Sequence, residues 1–500
     1  MDVEFLKYQY EDAYDGIVIK SKFKLGVRHI QMIYMFVSAF VMGTFRGSIG
    51  IAVLALTDET RRNDTYIKIH DNWDKRIQGI ILSSFFIGHA LALVPADLIL
   101  RRVDGKAALT TIQLVNGALS FALPTIINKG GWIATCNALF MMGMTQACLA
   151  PATQLLITKW LPPNEKKTCS SVVYGGVLLG IIVAIPVSGL ITESRLGWEL
   201  VMYSLGMLAL SAGTVCFLFT ASTPRSHQAI GDAEVEFLER ALSFYRKKCV
   251  PVPWRRVLKT KQFWAVACAH AANNCIFVFY LVEVPAFLKV LNAPLKDCAI
   301  YTVLPLVTMW AMYVTTSPTL DWMSRLGYVT YIAKLTYFRK LINAMGAFGI
   351  AIGLTILPNM VPGWSNFVII VLTATFGLVG LQLSGFPKTL TDMSENFSGT
   401  LFMMTSGVAS VVGALVPLAT GLILGNNEAD VIRWKIAYLS LASFCVVCNV
   451  IYTVFGSSDR QEWDEVRKRK IRGYHNVSNQ IQMEDMSQTK FIVDADPDTY

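Results

Sequence analysis

Apolar stretches of roughly 20 residues recur along this chain from residue 29 to residue 456, and they restrict the possible folds more than any other feature. A helix needs about that length to cross the ~30 Å hydrocarbon core of a bilayer. Because 53% of the 500 residues are hydrophobic and only 16% are charged, the composition excludes a soluble protein with an ordinary charged surface. The sequence therefore predicts an all-α membrane protein with about twelve transmembrane helices.

Short polar loops separate most of the predicted spans. Several spans contain Gly and Pro, which packed membrane helices tolerate because neighbouring helices satisfy the backbone. The predicted bounds are 29–56, 78–100, 107–128, 132–158, 170–192, 199–220, 262–288, 299–320, 338–358, 364–386, 397–424 and 433–456.

Basic residues, which give the chain a net charge of +9, cluster before the first span, after the second and fourth spans, in the loop 221–261 and in the C-terminal tail. By the positive-inside rule, both termini and these loops are predicted to be cytoplasmic. The charge thus indicates orientation in a membrane, and no nucleic-acid partner is predicted. The sequon at Asn63 lies on the opposite side, where glycosylation is expected.

The ten cysteines lie mostly inside predicted spans and show no metal-ligand spacing. We therefore predict no metal and no cofactor. The N-terminal segment carries acidic residues and no apolar signal sequence, so targeting is expected to depend on the first span.

Two related halves are indicated by internal similarity. Span five contains GVLLGIIVAIPVSGLI and span eleven contains GVASVVGALVPLATGLI. Parallel repeats of this kind build the major facilitator fold, with six helices in each half. The predicted organisation is an N-terminal tail (1–28), a six-helix half (29–220), a cytoplasmic linker (221–261), a second six-helix half (262–456) and a C-terminal tail (457–500).

Several motifs occur together and in order over nearly the whole chain. They include Arg46 in the first span, WDKRIQGIILSSFF at 73–86, WLPPNEK at 160–166, FRKLIN at 338–343 and IYTVFGSSDRQEW at 451–463. Together they resemble the anion:cation symporter family of the major facilitator superfamily, the group of sodium/phosphate cotransporters, sialin and vesicular glutamate transporters. The resemblance implies transport of a small anionic solute.

Arg46 places a guanidinium in an otherwise apolar span. A charged side chain at the centre of a bilayer costs from about 3 to more than about 10 kcal/mol, so Arg46 is expected to face water or a partner. An arginine binds carboxylate or phosphate through two parallel hydrogen bonds, and the resemblance implies that Arg46 contacts the anionic substrate. The alternative is a structural pair with an acid on another helix, for which Glu283 is the candidate.

Polar residues in the seventh span recur at steps of three and four residues, which predicts a shared helix face. This face is either a cavity wall or a site of hydrogen bonding between helices. Its members are His270, Asn273, Asn274, Phe277 and Tyr280. Of these we predict Asn273, Asn274 and Tyr280 as substrate contacts.

In the fourth span the resemblance implies a further substrate contact at Gln146. Members of the family that carry acidic amino acids have arginines where this chain has Leu139 and Asn273, and sialin and the glutamate carriers have a proton-linked glutamate where it has Gln146. Because one cationic anchor remains, the predicted substrate is a monoanion or a weakly charged organic acid; the alternative is that cytoplasmic and linker groups supply the remaining positive charge.

Residues for ion coupling and gating are also predicted. His89 (in place of the family's Tyr), His270 and Glu283 are candidates for coupling, because a histidine titrates near neutral pH; a packed, hydrogen-bonded histidine is the alternative. The candidates for a cytoplasmic gate that closes in the outward-open state are Asp97, Arg102, Asp321, Arg325 and Arg339. Ordinary positive-inside charge is the alternative for the basic ones.

The sequence thus predicts a secondary transporter that moves an organic anion or phosphate by alternating access, in symport with H⁺ or Na⁺. A transport-inactive scaffold or receptor is the alternative, and a channel-like chloride leak is a third. The chain lacks the GxxxxGK[ST] nucleotide loop, and no enzyme activity is predicted. Tyrosine sorting patterns leave the plasma membrane and endosomal, lysosomal or vesicular membranes open, and the oligomeric state stays open too.

Overall fold

A computed structural model describes residues 26–58, 68–70, 72–100, 103–244, 252–291, 293–325, 332–360, 365–394 and 396–464. Its secondary structure is helical, and no strand occurs among these residues. This confirms the predicted all-α class.

The N-terminal half contains α1 (Val27–Leu56), α2 (Lys75–Leu100), α3 (Gly105–Ala147), α4 (Leu149–Trp160), α5 (Pro163–Thr192) and α6 (Gly197–Phe219). Two shorter helices follow, α7 (Asp232–Phe244) and α8 (Trp254–Val257). The C-terminal half contains α9 (Lys261–Val290), α10 (Leu295–Arg325), α11 (Ile332–Ile356), α12 (Ser365–Leu383), α13 (Phe386–Met393), α14 (Ser398–Leu424) and α15 (Val431–Phe455).

Eleven segments of the described chain are long and apolar enough to cross a membrane. The longest, Gly105–Trp160, has 56 residues and covers two spans. The backbone reverses within it at Gly131, where φ is 67°, a left-handed conformation that glycine adopts without steric cost. The segments therefore correspond to the predicted twelve spans.

Helices within the N-terminal half pack closely through glycines. Gly43 and Gly47 lie one turn apart on α1 and face α5, where a Cβ atom on Gly43 would overlap the Val177 carbonyl oxygen and one on Gly47 would lie 2.9 Å from the Ile181 carbonyl oxygen. Small residues of this kind let helix backbones approach in a membrane. This contact fixes the position of α1 and of the charged residue that it carries.

The two halves meet along α2 and α14, along α5 and α10, and where α1 meets α9. We name the side of the bundle at which α1 ends the luminal end, after its predicted orientation. Near that end α2 and α14 touch through glycines, and the Cα atom of Gly79 lies 3.4 Å from where a Cβ atom on Gly421 would be. The halves are therefore in backbone contact there.

Ion pairs join the halves at the luminal end. Lys75 Nζ lies 3.1 Å from Glu283 Oε2, Lys289 Nζ lies 3.1 Å from Asp58 Oδ1, and Lys296 Nζ lies 4.0 Å from Glu193 Oε2. In addition, the Gln78 amide donates to Glu428 Oε1 at 2.8 Å. The inter-half ion pairs formed among the described residues all lie at this end, so the bundle is closed on the luminal side.

At the opposite, cytoplasmic end each half has its own cap. The buried guanidinium of Arg28 on α1 contacts Glu165 at 2.9 Å and Glu234 of the linker helix α7 at 3.1 Å. In the C-terminal half, Asp464 is fully buried and accepts a hydrogen bond from Ser394 at 2.8 Å. Part of the predicted linker thus packs on the first half, and residues 457–464 of the predicted tail pack on the second.

Candidate functional site

Arg46 lies on the face of α1 that meets the C-terminal half. One turn further along α1, a Cβ atom on Gly50 would lie 2.7 Å from the Leu281 carbonyl oxygen of α9. Residues four apart share a helix face, so Arg46 lies on the cytoplasmic side of the α1–α9 contact. It is partly exposed, roughly 15 Å from the luminal end of α1 and roughly 28 Å from the other end.

The guanidinium of Arg46 has neutral partners. Its Nε donates to Gln146 Oε1 at 3.3 Å, and its Nη2 lies 3.1 Å from His89 Nε2. Within the part of the chain that the structure describes, Nη1 has no hydrogen-bond partner and no carboxylate forms an ion pair with Arg46. The predicted alternative, a pair with Glu283, is wrong because Glu283 contacts Lys75 instead. No described residue therefore compensates the positive charge of Arg46.

A chain of amides orients Gln146. Its Nε2 donates to Asn116 Oδ1 at 3.2 Å, and Asn116 Nδ2 donates in turn to the Ile112 carbonyl and to Thr145 Oγ1, both at 2.8 Å. Because the amide nitrogen of Gln146 is engaged, its oxygen points to Arg46. Asn116 is not among the site residues predicted from the sequence. Its signal is a row of polar residues at three- and four-residue steps in the third span, all fully buried: Gln113, Asn116 and Ser120.

The contact with Arg46 also defines the state of His89. A guanidinium carries only donors, so this contact is a hydrogen bond when His89 Nε2 accepts, which requires a neutral imidazole with its proton on Nδ1. His89 itself is partly exposed. The side-on edge of the guanidinium, formed by Nε and Nη2, is thus held by the protein, and the end-on edge that includes Nη1 is left for a ligand.

The facing wall is formed by α9. Three residues lie on the same face of α9 as Leu281, because they precede it by four, seven and eleven residues: Phe277, Asn274 and His270. All three are partly exposed. Asn274 Nδ2 donates to the Ala409 carbonyl at 2.8 Å, and His270 Nδ1 lies 3.1 Å from Thr405 Oγ1. Asn274 and His270 therefore lie on the face of α9 that meets α1, the helix that carries Arg46.

Asn273 and Tyr280, also predicted on this face, point into the C-terminal half. Asn273 is 6% exposed and donates to Gln382 Oε1 at 3.3 Å. Tyr280 is 3% exposed, and its hydroxyl donates to the Thr302 carbonyl at 2.8 Å. The structure thus divides the predicted polar face into two sets, and these two residues do not join Arg46.

The gating candidates are placed only in part. Arg339 Nη1 lies 2.7 Å from Asp392 Oδ2 within the C-terminal half. Asp97, Asp321 and Arg325 lie on α2 and α10, but their side chains are outside the described part of the structure, and so are Arg102 and the sequon at Asn63 as a whole. The cytoplasmic gate stays a prediction.

Comparisons with known proteins agree with this architecture. The family model described as "Major Facilitator Superfamily" matches residues 35–418. A putative inorganic phosphate cotransporter of Drosophila ananassae is 28% identical over 85% of this chain and 91% of its own. Human sialin is 23% identical over 87% of this chain and 90% of its own. Vesicular glutamate transporter 1 of Bos taurus is 24% identical over 84% of this chain and 75% of its own.

Solved structures give the same fold. A D-xylose-proton symporter aligns with a TM-score of 0.65 at 14% identity, over 86% of this chain and 99% of its own. The inward-open xylose transporter of E. coli aligns with a TM-score of 0.63 at 12% identity, over 86% and 96%. The relatives are transporters, which confirms the predicted resemblance and the prediction that the chain is not an enzyme. The chain belongs to the major facilitator superfamily, and phosphate cotransporters, sialin and vesicular glutamate transporters are among its relatives.

Proposed function

We propose that this protein is a secondary active transporter that moves a small anion by alternating access, with Arg46 as the anchor of the anion. The observation that carries the proposal is the uncompensated guanidinium between the halves, with Gln146 and His89 as neutral partners. A unit negative charge about 4 Å away gains about 4 kcal/mol at an effective dielectric of about 20. An anion is therefore the ligand that this site favours.

The free edge of Arg46 suits one carboxylate or one phosphate oxygen pair. The opposite wall adds neutral groups, among them the Asn274 amide and the His270 ring. One cation favours a monoanion over an acidic amino acid with two carboxylates. The similarity to the putative phosphate cotransporter makes phosphate, as its monoanion, the first solute to test, followed by organic monocarboxylates.

Alternating access is supported by where the halves touch. The ion pairs between them lie on the luminal side of Arg46, so opening that side requires these pairs to separate. An anion bound to Arg46 and to α9 at once would link the two halves and favour an occluded state. We propose that the luminal pairs are the gate on that side and that transport is ion-coupled symport.

The membrane location is also a proposal. We place the protein in the plasma membrane or in an endosomal, lysosomal or vesicular membrane, with both termini in the cytoplasm. The basic loops support this orientation, and the names of the sialin and vesicular glutamate transporter relatives make a vesicular compartment worth testing.

The test is counterflow in proteoliposomes with the purified full-length chain. We expect exchange of inorganic phosphate and of an aliphatic monocarboxylate to exceed exchange of glutamate. Arg46→Ala should weaken the apparent affinity at least about thirtyfold, because hydrogen bonds to charged groups contribute about 1.5–3 kcal/mol each. Arg46→Lys should recover only part of it, since the fork is lost.

Arg225→Ala is the matched control, because Arg225 is an exposed arginine of the linker that pairs with Glu239. Normal counterflow by Arg46→Ala would remove Arg46 from the site. If monodisperse wild-type protein exchanged none of these anions, the transport proposal would fail and the scaffold alternative would be favoured.

A further inference from the structure

The contact between Arg46 and His89 joins the anion site to a ring that can take up a proton. We propose that His89 binds the proton that accompanies the anion, so that the coupling ion is H⁺ and both are carried at one site. This inference rests on the proposed function, because it concerns how the same site is driven.

His89 is neutral while it accepts a hydrogen bond from Arg46. Since Nη2 of Arg46 is a donor in every state, the 3.1 Å contact occupies the lone pair of Nε2. A proton on Nε2 would place two N–H groups against each other, so protonation must break this contact. It would also leave two positive charges side by side, which an empty site disfavours.

The groups around the His89 ring are neutral apart from Arg46. Arg46 is the charged group that α1 places against it. From α3, Gly143 passes the His89 backbone, where a Cβ atom on Gly143 would lie 3.0 Å from His89 N, and Gln146 of the same network is neutral. No acid faces His89 among the described residues. An anion on Arg46 is therefore what would compensate a charged imidazole.

Binding of the anion and binding of the proton affect each other equally. If the anion favours protonation of His89, the proton must favour binding of the anion by the same factor. The proton passes from water to Nε2 as the anion binds, and it leaves from Nε2 when the anion is released on the other side. Because His89 is partly exposed, we infer that it exchanges protons with water on the side to which the halves are open. The site then carries one anion and one proton in the same direction.

The absence of a carboxylate in this network makes the assignment specific to this chain. Gln146 contacts Arg46 but cannot carry a proton at neutral pH, and neither can Asn116. Glu283 is engaged by Lys75 at the luminal gate. In the described network around Arg46, His89 is the side chain that can take up and release a proton, and a bound anion is what would favour the uptake.

The experiment uses the full-length protein in proteoliposomes with inorganic phosphate and a trapped pH dye. Phosphate accumulation is measured with and without an inward gradient of one pH unit, which for one proton per anion can drive up to about tenfold accumulation. We expect wild-type protein to show several-fold stimulation together with acidification of the lumen.

His89→Gln, which keeps an acceptor for Arg46, should still show detectable counterflow, but its stimulation ratio should fall to about one and acidification should stop. His227→Gln, outside the site on the cytoplasmic side, is the control.

The outcomes separate the two proposals. Gradient-driven accumulation and acidification by His89→Gln would overturn the inference while counterflow kept the transport proposal intact. Stimulation of the wild-type protein by a sodium gradient instead of a proton gradient would overturn it as well. Failure of wild-type counterflow would overturn the transport proposal and this inference together.

Discussion

At the scale of single residues, the charge of Arg46 is preserved because each of its neighbours is neutral. An amide oxygen and an unprotonated ring nitrogen hold the guanidinium in place without cancelling its charge. A carboxylate in either position would bind it more strongly and would compete with the substrate. In the proposed anion site, neutral partners therefore leave the free energy of the ion pair available to the bound anion.

Gln146→Glu tests whether a negative charge beside Arg46 weakens binding of the anion. The new carboxylate would lie where Oε1 now accepts from Arg46 at 3.3 Å, and the resulting ion pair should raise the KM for phosphate at least about tenfold, since a neighbouring opposite charge contributes about 1–4 kcal/mol. The measurement is the concentration dependence of counterflow. Gln154→Glu is the control, because the Tyr174 hydroxyl lies 3.2 Å from Gln154 Oε1 and Arg46 is not in this contact. An unchanged KM in Gln146→Glu would contradict the role of charge at Arg46.

At the scale of helices, the position of Arg46 depends on how closely α1 approaches α5. Gly47 allows this approach, since the Ile181 carbonyl oxygen and the Ala184 Cβ atom lie 2.9 and 3.3 Å from the place of a Cβ atom. Both neighbours belong to the packed helix α5, so neither can move without shifting its helix. The packing of small residues thus sets the location of the charge.

Gly47→Ala should consequently destabilise the protein by about 1–3 kcal/mol through overpacking. Its thermal midpoint in detergent should fall measurably below that of wild type. Gly175→Ala is the matched control on α5, because no atom lies within 4 Å of its Cβ position, and it should unfold at the wild-type temperature or slightly above. Equal midpoints for the two variants would contradict the close α1–α5 contact.

The helices were predictable from sequence because partition between water and lipid depends on local composition. The predicted spans 29–56 and 433–456 compare with α1 (Val27–Leu56) and α15 (Val431–Phe455). Side-chain directions on α9 were less predictable. At 100° per residue, Asn273 and Tyr280 lie about 80–100° from the line through His270, Asn274 and Leu281, which is too far to share its face. They pack against α12 and α10 instead.

The site was predictable where a residue violates its surroundings, as a guanidinium in an apolar span does. Asn116 was missed because a buried amide in a membrane helix can serve packing as easily as a binding site. The partner of Glu283 was also beyond sequence, since Lys75 is distant in the chain and only the meeting of α2 and α9 joins them.

At the scale of the whole molecule, the proposed luminal gate includes charged side chains that are buried away from water. Glu283 is 0% and Lys75 3% exposed, so each depends on the other for its compensation. Removal of one partner of a buried pair costs about 3–5 kcal/mol. The pair therefore favours the conformation in which the luminal side is closed.

Glu283→Gln should shift the protein toward luminal opening, because Lys75 would be left buried without a counter-charge. We expect counterflow to fall at least about fivefold. Labelling of the native Cys298, which is 0% exposed on α10 two residues from Lys296, by an impermeant luminal reagent should rise. The exchange of both charges, Lys75→Glu with Glu283→Lys, should restore part of the activity. Glu239→Gln, which breaks an exposed pair on the linker, is the control. Unchanged labelling in Glu283→Gln would show that the pair does not hold the gate.

The glycine contact between α2 and α14 has a mechanical consequence. Where Gly79 and Gly421 meet, the halves present backbone to each other, so at this contact, unlike at the ion pairs nearby, no interlocked side chains oppose a tilt of one half against the other. Such a flat contact keeps the two halves together while offering little steric resistance to rotation. One methyl group added to Gly79 would overlap the Pro417 carbonyl oxygen, so it would force the halves apart at this point and remove the low-friction contact.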